Sequence, residues 1–215
     1  MLLEFPTLTG THIRLEPLDP RHIDGLAAAS ALDPTLYTWS PIPQGRAEAA
    51  RYVDTAIPFA TIRVADSVVL GSTRFFDIEH WAWPAGNPRH GLPTPDVCEI
   101  GHTWLSAAAI RTAANTEAKL LMLTHAFEAM RALRVCFHTD ARNHRSAAAI
   151  ERIGGKFEGI LRAHRMAADF IPRDSKRFSI IAAEWPAAKQ RLTQLLNHPT
   201  DAPLRSQLAH RTGLD

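Results

Sequence analysis

Cysteine is nearly absent: Cys98 and Cys136 are the two among 215 residues. Both stand in apolar, strand-like surroundings without metal-ligand spacing. They are expected to be small core residues in a reducing compartment rather than disulfide partners or ligands. No apolar run approaches the roughly 20 residues that a membrane helix needs, so no membrane partner is expected. Charge of one sign is lacking as well, since 24 basic residues against 22 acidic ones leave a formal +2. So mild a balance supplies no basic stripe for nucleic acid. Met1–Pro6 carry no basic start and no h-region, which makes cytoplasmic residence the expectation. His-Glu-x-x-His and Gly-x-Ser-x-Gly do not occur, so neither metal-dependent hydrolysis nor a serine nucleophile is expected, and no metal site is assigned. There are no internal repeats and no low-complexity segments.

What is present suits one soluble domain with a substantial core, at 46% hydrophobic and 21% charged residues. The domain is expected to span residues 1–197, with 198–215 as a polar, frayed tail. His12–Glu16 alternates as a first strand, and Pro20 opens a helix through Ala31. Asp33-Pro34 and Ser40-Pro41-Ile42-Pro43 break helices, which leaves Tyr37–Trp39 in a loop. Arg46–Ile57 reads as a short helix, and Phe59–Val64 with Val68–Ile78 as a hairpin. A helix from Asn115 to about Met130 presents Leu120, Leu123, Phe127 and Met130 at three-to-four spacing. Ile150 and Ile153 mark the inner face of the next helix, with Gly154 as its C′ residue. Phe157–His164 and Ser175–Ala183 form a closing antiparallel pair with Phe178, Ile180 and Ala182 on one face. Ala187–Leu196 is a terminal helix.

Between Glu79 and Asp96 the composition changes: Trp81, Trp83, Pro84, Gly86, Pro88, Gly91, Pro93 and Pro95 crowd one stretch. Connections above about 12–15 residues without regular structure are uncommon in compact domains. One reading is a self-packed surface loop with its rings tucked under or holding a second copy in a homodimer. The other is a lid over an acceptor site, with Trp81 and Trp83 facing Trp39.

The order of elements from Glu99 to Leu161 carries the functional signal. Glu99-Ile-Gly-His-Thr-Trp-Leu-Ser106 leads into Ala113-Ala-Asn-Thr-Glu-Ala-Lys119, which opens the long helix. Arg134-Val-Cys-Phe-His-Thr-Asp140 then leads into Asn143-His-Arg-Ser146, which opens a shorter helix ending at Gly154-Gly155. This succession, continued through Phe157–Arg162 to Glu184-Trp-Pro186, resembles the acyl-CoA core of the GNAT N-acetyltransferases, within them the branch of the ribosomal-protein-alanine N-acetyltransferases. The resemblance implies an α/β fold: a mixed, twisted central sheet with flanking helices, split into a V between the strands of Glu99–Ser106 and Arg134–Asp140.

The resemblance also implies a reaction and its residues. Acetyl-CoA would donate an acyl group to a primary amine (a protein N-terminus, a peptide or a small amine) by direct attack on the thioester. Arg111, Thr112, Ala113, Ala114, Asn115 and Thr116 would receive the pyrophosphate at a helix N-terminus, where free N–H groups and the macrodipole attract anions. The family usually writes this turn Gln/Arg-x-x-Gly-x-Gly/Ala; here Ile110, Ala113 and Asn115 occupy the matching positions. Thr103, Trp104 and Leu105 would lie along the pantetheine arm, with backbone N–H groups near Leu105 polarising the carbonyl. Asn143 would bond that arm, or serve as an N-cap. Arg111, Arg142 and Arg145 are candidate phosphate partners, or solvated loop arginines. Ser146 would lie near the sulfur; a tyrosine that many relatives place four residues on is Ile150 here. Glu99 is the candidate base, or else a rim carboxylate paired with arginine; His102, His138 and His144 are alternatives. An alkyl ammonium and a carboxylate differ by about 6 pKa units, about 8 kcal/mol, so a carboxylate base needs burial, a lowered amine pKa or a water relay. A non-catalytic acyl-CoA-binding regulator on the same fold is the rival reading. Its support is the altered phosphate turn and the missing tyrosine.

Overall fold

The computed structural model describes residues 5–54 and 58–197. The chain runs β1 (Leu8–Thr9), β2 (Ile13–Pro17), α1 (Ile23–Ala31), α2 (Gly45–Asp54), β3 (Pro58–Arg63), β4 (Val69–Glu79) and β5 (Val97–Leu105). It continues with α3 (Ala114–Thr124), β6 (Arg134–Asp140), α4 (His144–Arg152), β7 (Lys156–Met166), β8 (Pro172–Ile181) and α5 (Trp185–Asn197). The strands join in one mixed sheet of order β1-β2-β3-β4-β5-β6-β8-β7, so the last strand inserts between β6 and β7. The segment 55–57 at the end of the expected second helix and the expected tail 198–215 lie outside the described residues.

One pairing positions everything that follows. β5 and β6 run parallel and pair only at Val97↔Arg134, Cys98↔Val135 and Glu99↔Cys136. Beyond Glu99, β5 stays with β4 as far as Leu105↔Gly71, while β6 stays with β8 as far as Asp140↔Ser175. The two strands therefore part after Glu99, and the expected V opens there. A β-bulge lies in the parting arm: Ser72 faces Trp104 but Arg74 faces Gly101, which gives β5 one extra residue around His102. His102, inside the bulge, takes a left-handed φ of 47°.

Alternation along β6 explains its two buried faces. Val135 and Phe137 enter the main core with Phe178 and Ile180 of β8, Met122 and Leu123 of α3, and Leu192 of α5. Cys136, His138 and Asp140 point to the other face. Ile150 and Ile153 are buried, and Gly154 ends α4 with φ of 103°. A smaller cluster packs Leu26, Ala29, Ala49 and Val53 of α1 and α2 against Trp104.

Several expectations shift. The helix expected from Pro20 begins as a 3-10 turn, Pro20–His22, capped by the Asp19 carboxylate, and α1 starts only at Ile23. The helix expected to reach Met130 changes at His125 into a π-helical turn, where Met130 N–H bonds His125 O and Ala132 N–H bonds Ala126 O. The wider winding still buries Ala126, Phe127 and Met130. Ala182 falls in a 3-10 turn past the end of β8 and is exposed, so the buried face there ends at Ile180.

Candidate functional site

At the point where β5 and β6 separate, Glu99 is buried with 3% exposure. Its Oε2 lies 2.5 Å from His138 Nδ1. The two meet because Glu99 pairs with Cys136 across the parallel ladder and His138 is two residues further along the same face. A carboxylate accepts, so Nδ1 carries the proton and Nε2 of a neutral ring presents its lone pair. Nε2 is buried without a partner among the described residues, as is Nδ1 of His164, whose ring centroid is 5.0 Å from that of His138. Burial first, then the neighbouring His138 and the guanidinium of Arg165, lower the His164 pKa. The cleft beside them has a volume of about 140 Å³ and is lined among others by Asp77, Glu79, Glu99, His138, His164 and Arg177. Cys98 lies behind it in the core, its thiol pushed up to about 12 by burial. Neither cysteine forms a disulfide.

The helices that follow β5 and β6 both start at the open end of the V. No side chain caps α3 at Ala113. Thr112 Oγ1 donates to Ala109 O at 2.7 Å and accepts the Ala114 N–H at 3.2 Å, which folds the turn back on itself. Arg111 is exposed and left-handed at φ of 62°, and Asn115 is half-buried. Thr116 is buried and accepts a hydrogen bond from Arg152 Nη2 at 3.1 Å. Glu117, next along, takes no part in the turn. Its carboxylate accepts the N–H groups of Thr11, His12 and Ile13 at 2.8, 2.7 and 2.7 Å and so fixes the β1–β2 turn to α3.

At α4, Asn143 Oδ1 accepts the Ser146 N–H at 3.0 Å, so Asn143 is an N-cap whose amide N–H₂ remains for other partners. Ser146 is half-buried at this helix start. Arg145 donates to Leu36 O at 3.1 Å. Arg142 is held by Asp140 and Asp169 and lies 4.4 Å over the Trp39 ring, so its charge is already balanced.

Along β5, Thr103 Oγ1 accepts from Lys119 Nζ at 2.7 Å and meets Thr73 Oγ1 at 2.8 Å. Burial alone lowers Lys119 to about 7. The Trp104 ring belongs to the α1–α2 cluster, edge-on to Tyr37 at 5.8 Å, and its Nε1 has no partner among the described residues. Leu105 O accepts from Tyr37 Oη at 3.1 Å.

The Trp/Pro-rich loop packs on itself around Asp96. That carboxylate accepts Trp81 N–H at 2.7 Å, Trp83 Nε1–H at 2.9 Å and Arg89 Nε–H at 2.7 Å. Arg89 also reaches Arg131 O, and Leu133 N–H bonds Asp96 O, which fastens the loop to the closed end of the V. The rings of Trp81 and Trp83 stand 5.7 Å apart, with Trp81 still 47% exposed. Trp39 lies instead beside Arg142, and none of the three tryptophans lines the cleft.

Glu99 and His138 are thus neighbours, although the sequence offers them as alternatives. Asp77, Glu79, His164 and Arg177 are cleft residues that sequence reading passed over. His164 is legible only once β8 is known to lie between β6 and β7. Lys119 is a second omission; its place on the α3 face beside Leu123 was the available signal. Among the described residues, no group of three or more His, Cys, Asp or Glu side chains is arranged to hold a metal ion. None of their helices is long and apolar enough to cross a membrane.

Comparison with known proteins gives this geometry a family. The acetyltransferase (GNAT) domain model matches residues 12–156. A GCN5-related N-acetyltransferase from Brucella melitensis is 31% identical over 90% of this chain and 86% of that one, with a TM-score of 0.79. More distant in sequence, RimJ of Mycobacterium smegmatis, solved with CoA-disulfide, is 20% identical over 85% of this chain and 88% of its own, with a TM-score of 0.69. The ribosomal-protein-S5-alanine acetyltransferase of Vibrio fischeri is 14% identical over 83% of this chain and 98% of its own, with a TM-score of 0.64. These last two share the fold. Among curated proteins, none matches. Family model, fold and a 31% identical relative agree, and the chain belongs to the GNAT acetyltransferases, enzymes of acyl-CoA-dependent N-acetyl transfer.

Proposed function

We propose that the protein acetylates a primary amine by direct attack on the thioester of acetyl-CoA, with Glu99 and His138 together taking the amine's proton. The observation that carries this reading is the buried Glu99–His138 contact at the fork of β5 and β6. A carboxylate alone lies about 8 kcal/mol below an alkyl ammonium in proton affinity, whereas an imidazole lies only about 5 kcal/mol below it. With Glu99 holding the Nδ1 proton, His138 Nε2 is the better acceptor, and the carboxylate stabilises the imidazolium that forms. The neutral amine then adds its lone pair to the carbonyl carbon. The C–S bond breaks, its electron pair leaves on sulfur, and the nitrogen's second proton passes to the cleft groups or water.

Donor binding falls to the open end of the V. The uncapped start of α3, residues 111–116, suits a pyrophosphate, and Arg111 is the exposed cation beside it. The arm would run along the edge of β5 at Thr103–Leu105, which beyond Glu99 has no ladder to β6. The Asn143 amide would bond the arm, while Ser146 at the head of α4 would donate to the departing thiolate. Arg145 would assist with the phosphates from the same turn. Trp81 and Trp83, two and four residues beyond Glu79, would form an outer wall for the acceptor, and Trp39 a wall at the α4 side.

The reading is tested by incubating the protein with acetyl-CoA and a panel of N-terminal peptides, amino acids and small amines. CoA release with a matching gain of one acetyl group on the amine is expected. Tight acetyl-CoA binding without turnover on any amine would leave the non-catalytic alternative.

A further inference from the structure

The sheet face that carries Glu99 and His138 also carries guanidinium groups that the transfer chemistry does not use. Arg74 and Phe76 of β4 share this face with their cross-strand partners Gly101 and Glu99. The guanidinium carbons of Arg74 and Arg165 each lie 5.5 Å from the Phe76 ring centroid, so two cations flank one ring. Arg165 reaches it from β7, where it pairs across to Arg173 of β8. The ring in turn abuts the reaction centre: a Cβ built on Gly101 would stand 2.8 Å from Phe76 and 3.6 Å from Glu99 Oε1. A single phenyl ring separates the Glu99 carboxylate from arginines of β4 and β7.

Their counter-charges do not balance. Arg165 pairs with Asp77 at 2.7 Å, and Arg177 shares Glu158 with Arg134. Arg74 and Arg173 have no carboxylate within salt-bridge distance among the described residues. Arg173 spends Nε on Ser175 Oγ at 3.0 Å, and Arg74 Nε is buried with no hydrogen-bond partner among the described residues. Burial lowers the pKa of both, the mark of cations partly stripped of water. Unpaired desolvated cations are costly, and an anionic ligand removes that cost. Glu79, one of the residues that line the cleft, forms no ion pair with the described residues.

We propose that the acceptor is an amine that also carries a carboxylate, an amino-acid-like zwitterion, with the carboxylate held by Arg74 and Arg173 beside Arg165. This rests on the transferase reading above and names its substrate class. Guanidinium forks chelate carboxylates in two parallel hydrogen bonds, a geometry that a neutral amide or a second ammonium cannot satisfy. A polyamine would instead bring its remaining positive charge against these arginines.

The test pairs acceptors that differ in one group: L-amino acids against their carboxamides. kcat/KM for CoA release is measured with the wild type, Arg74→Gln and Arg173→Gln, alongside the thermal shift each compound produces in the presence of CoA. The acids are expected to exceed the amides by at least about tenfold, since buried donors reject a ligand that leaves them unpaired. In either variant that ratio is expected to collapse toward unity through KM, and in the wild type only the acids should raise the melting temperature. Equal rates on acid and amide, or an undiminished ratio in both variants, would overturn the proposal. Carboxylate-dependent stabilisation without acetylation of any amine would keep the anion site and remove the transferase reading. Inert acids that also fail to stabilise the protein would remove both.

Discussion

Replacing Lys119 by methionine should make the protein more stable, and the gain should shrink as pH rises. Lys119 is 6% exposed and its Nζ is bonded to Thr103 Oγ1 at 2.7 Å, with Thr73 Oγ1 at 3.4 Å and no ion pair to a carboxylate among the described residues. Burial brings it down to about 7 in the folded protein, while an unfolded lysine titrates near 10.4. Between those values the unfolded chain binds the proton and the folded one does not, so stability rises with pH across that window. Below about pH 7 the penalty is full, and above about pH 10 it has gone. At pH 7 the difference of about 3 units costs about 4 kcal/mol. Methionine keeps the length of the stem and removes the charge. It also removes a hydrogen bond to Thr103, worth about 1 kcal/mol, although Thr73 and Thr103 can still bond each other at 2.8 Å. The net gain at pH 7 is then about 2–3 kcal/mol. Urea denaturation of wild type and Lys119→Met at pH 7, 8 and 9 reads it directly. A variant that loses stability at pH 7, or a difference that stays constant to pH 9, would refute the account of this lysine.

Asp96→Asn should loosen the Glu79–Asp96 loop. Burial would raise the Asp96 pKa, but the bonds from Trp81, Trp83 and Arg89 outweigh it and hold the carboxyl below its usual range. The substitution leaves Arg89 uncompensated, and about 2–4 kcal/mol of stability should be lost with a red shift of tryptophan emission; an unchanged midpoint and spectrum would deny the brace. The Asp96 contribution should also be present at neutral pH and fade as pH falls through the folded value. Arg111→Glu should weaken acetyl-CoA binding by calorimetry at least about tenfold, and an unchanged Kd would move the phosphates elsewhere.

Much of the fold is legible because its signals are local. Ile150, Ile153 and Gly154 mark one helix face and its end, and Val135 and Phe137 alternate with Cys136 and His138 along β6. The fork between β5 and β6 is what the resemblance to the GNAT core implies. Contacts that join distant segments are not written in any window of sequence. Glu99 and His138 meet through a three-residue parallel ladder, and His164 joins them only because β8 inserts before β7. Arg74 and Arg165 converge on Phe76 from strands almost a hundred residues apart by number. The π-helical turn at His125–Ala129 keeps the apolar spacing that suggested an unbroken helix, so periodicity could not reveal it. Composition reads the Glu79–Asp96 loop as a lid or as a self-packed loop, and it does not announce the three hydrogen bonds by which Asp96 braces that loop.

The most direct test of the Glu99–His138 centre is the pH–rate profile of Glu99→Gln with acetyl-CoA and a working amine. A glutamine keeps the shape of the side chain but cannot stabilise an imidazolium as a carboxylate does. Because a positioned acid–base group contributes about 10²–10⁴-fold, kcat should fall by that range while acetyl-CoA affinity stays within about twofold. Full turnover by Glu99→Gln from about pH 6 to 9 would contradict it.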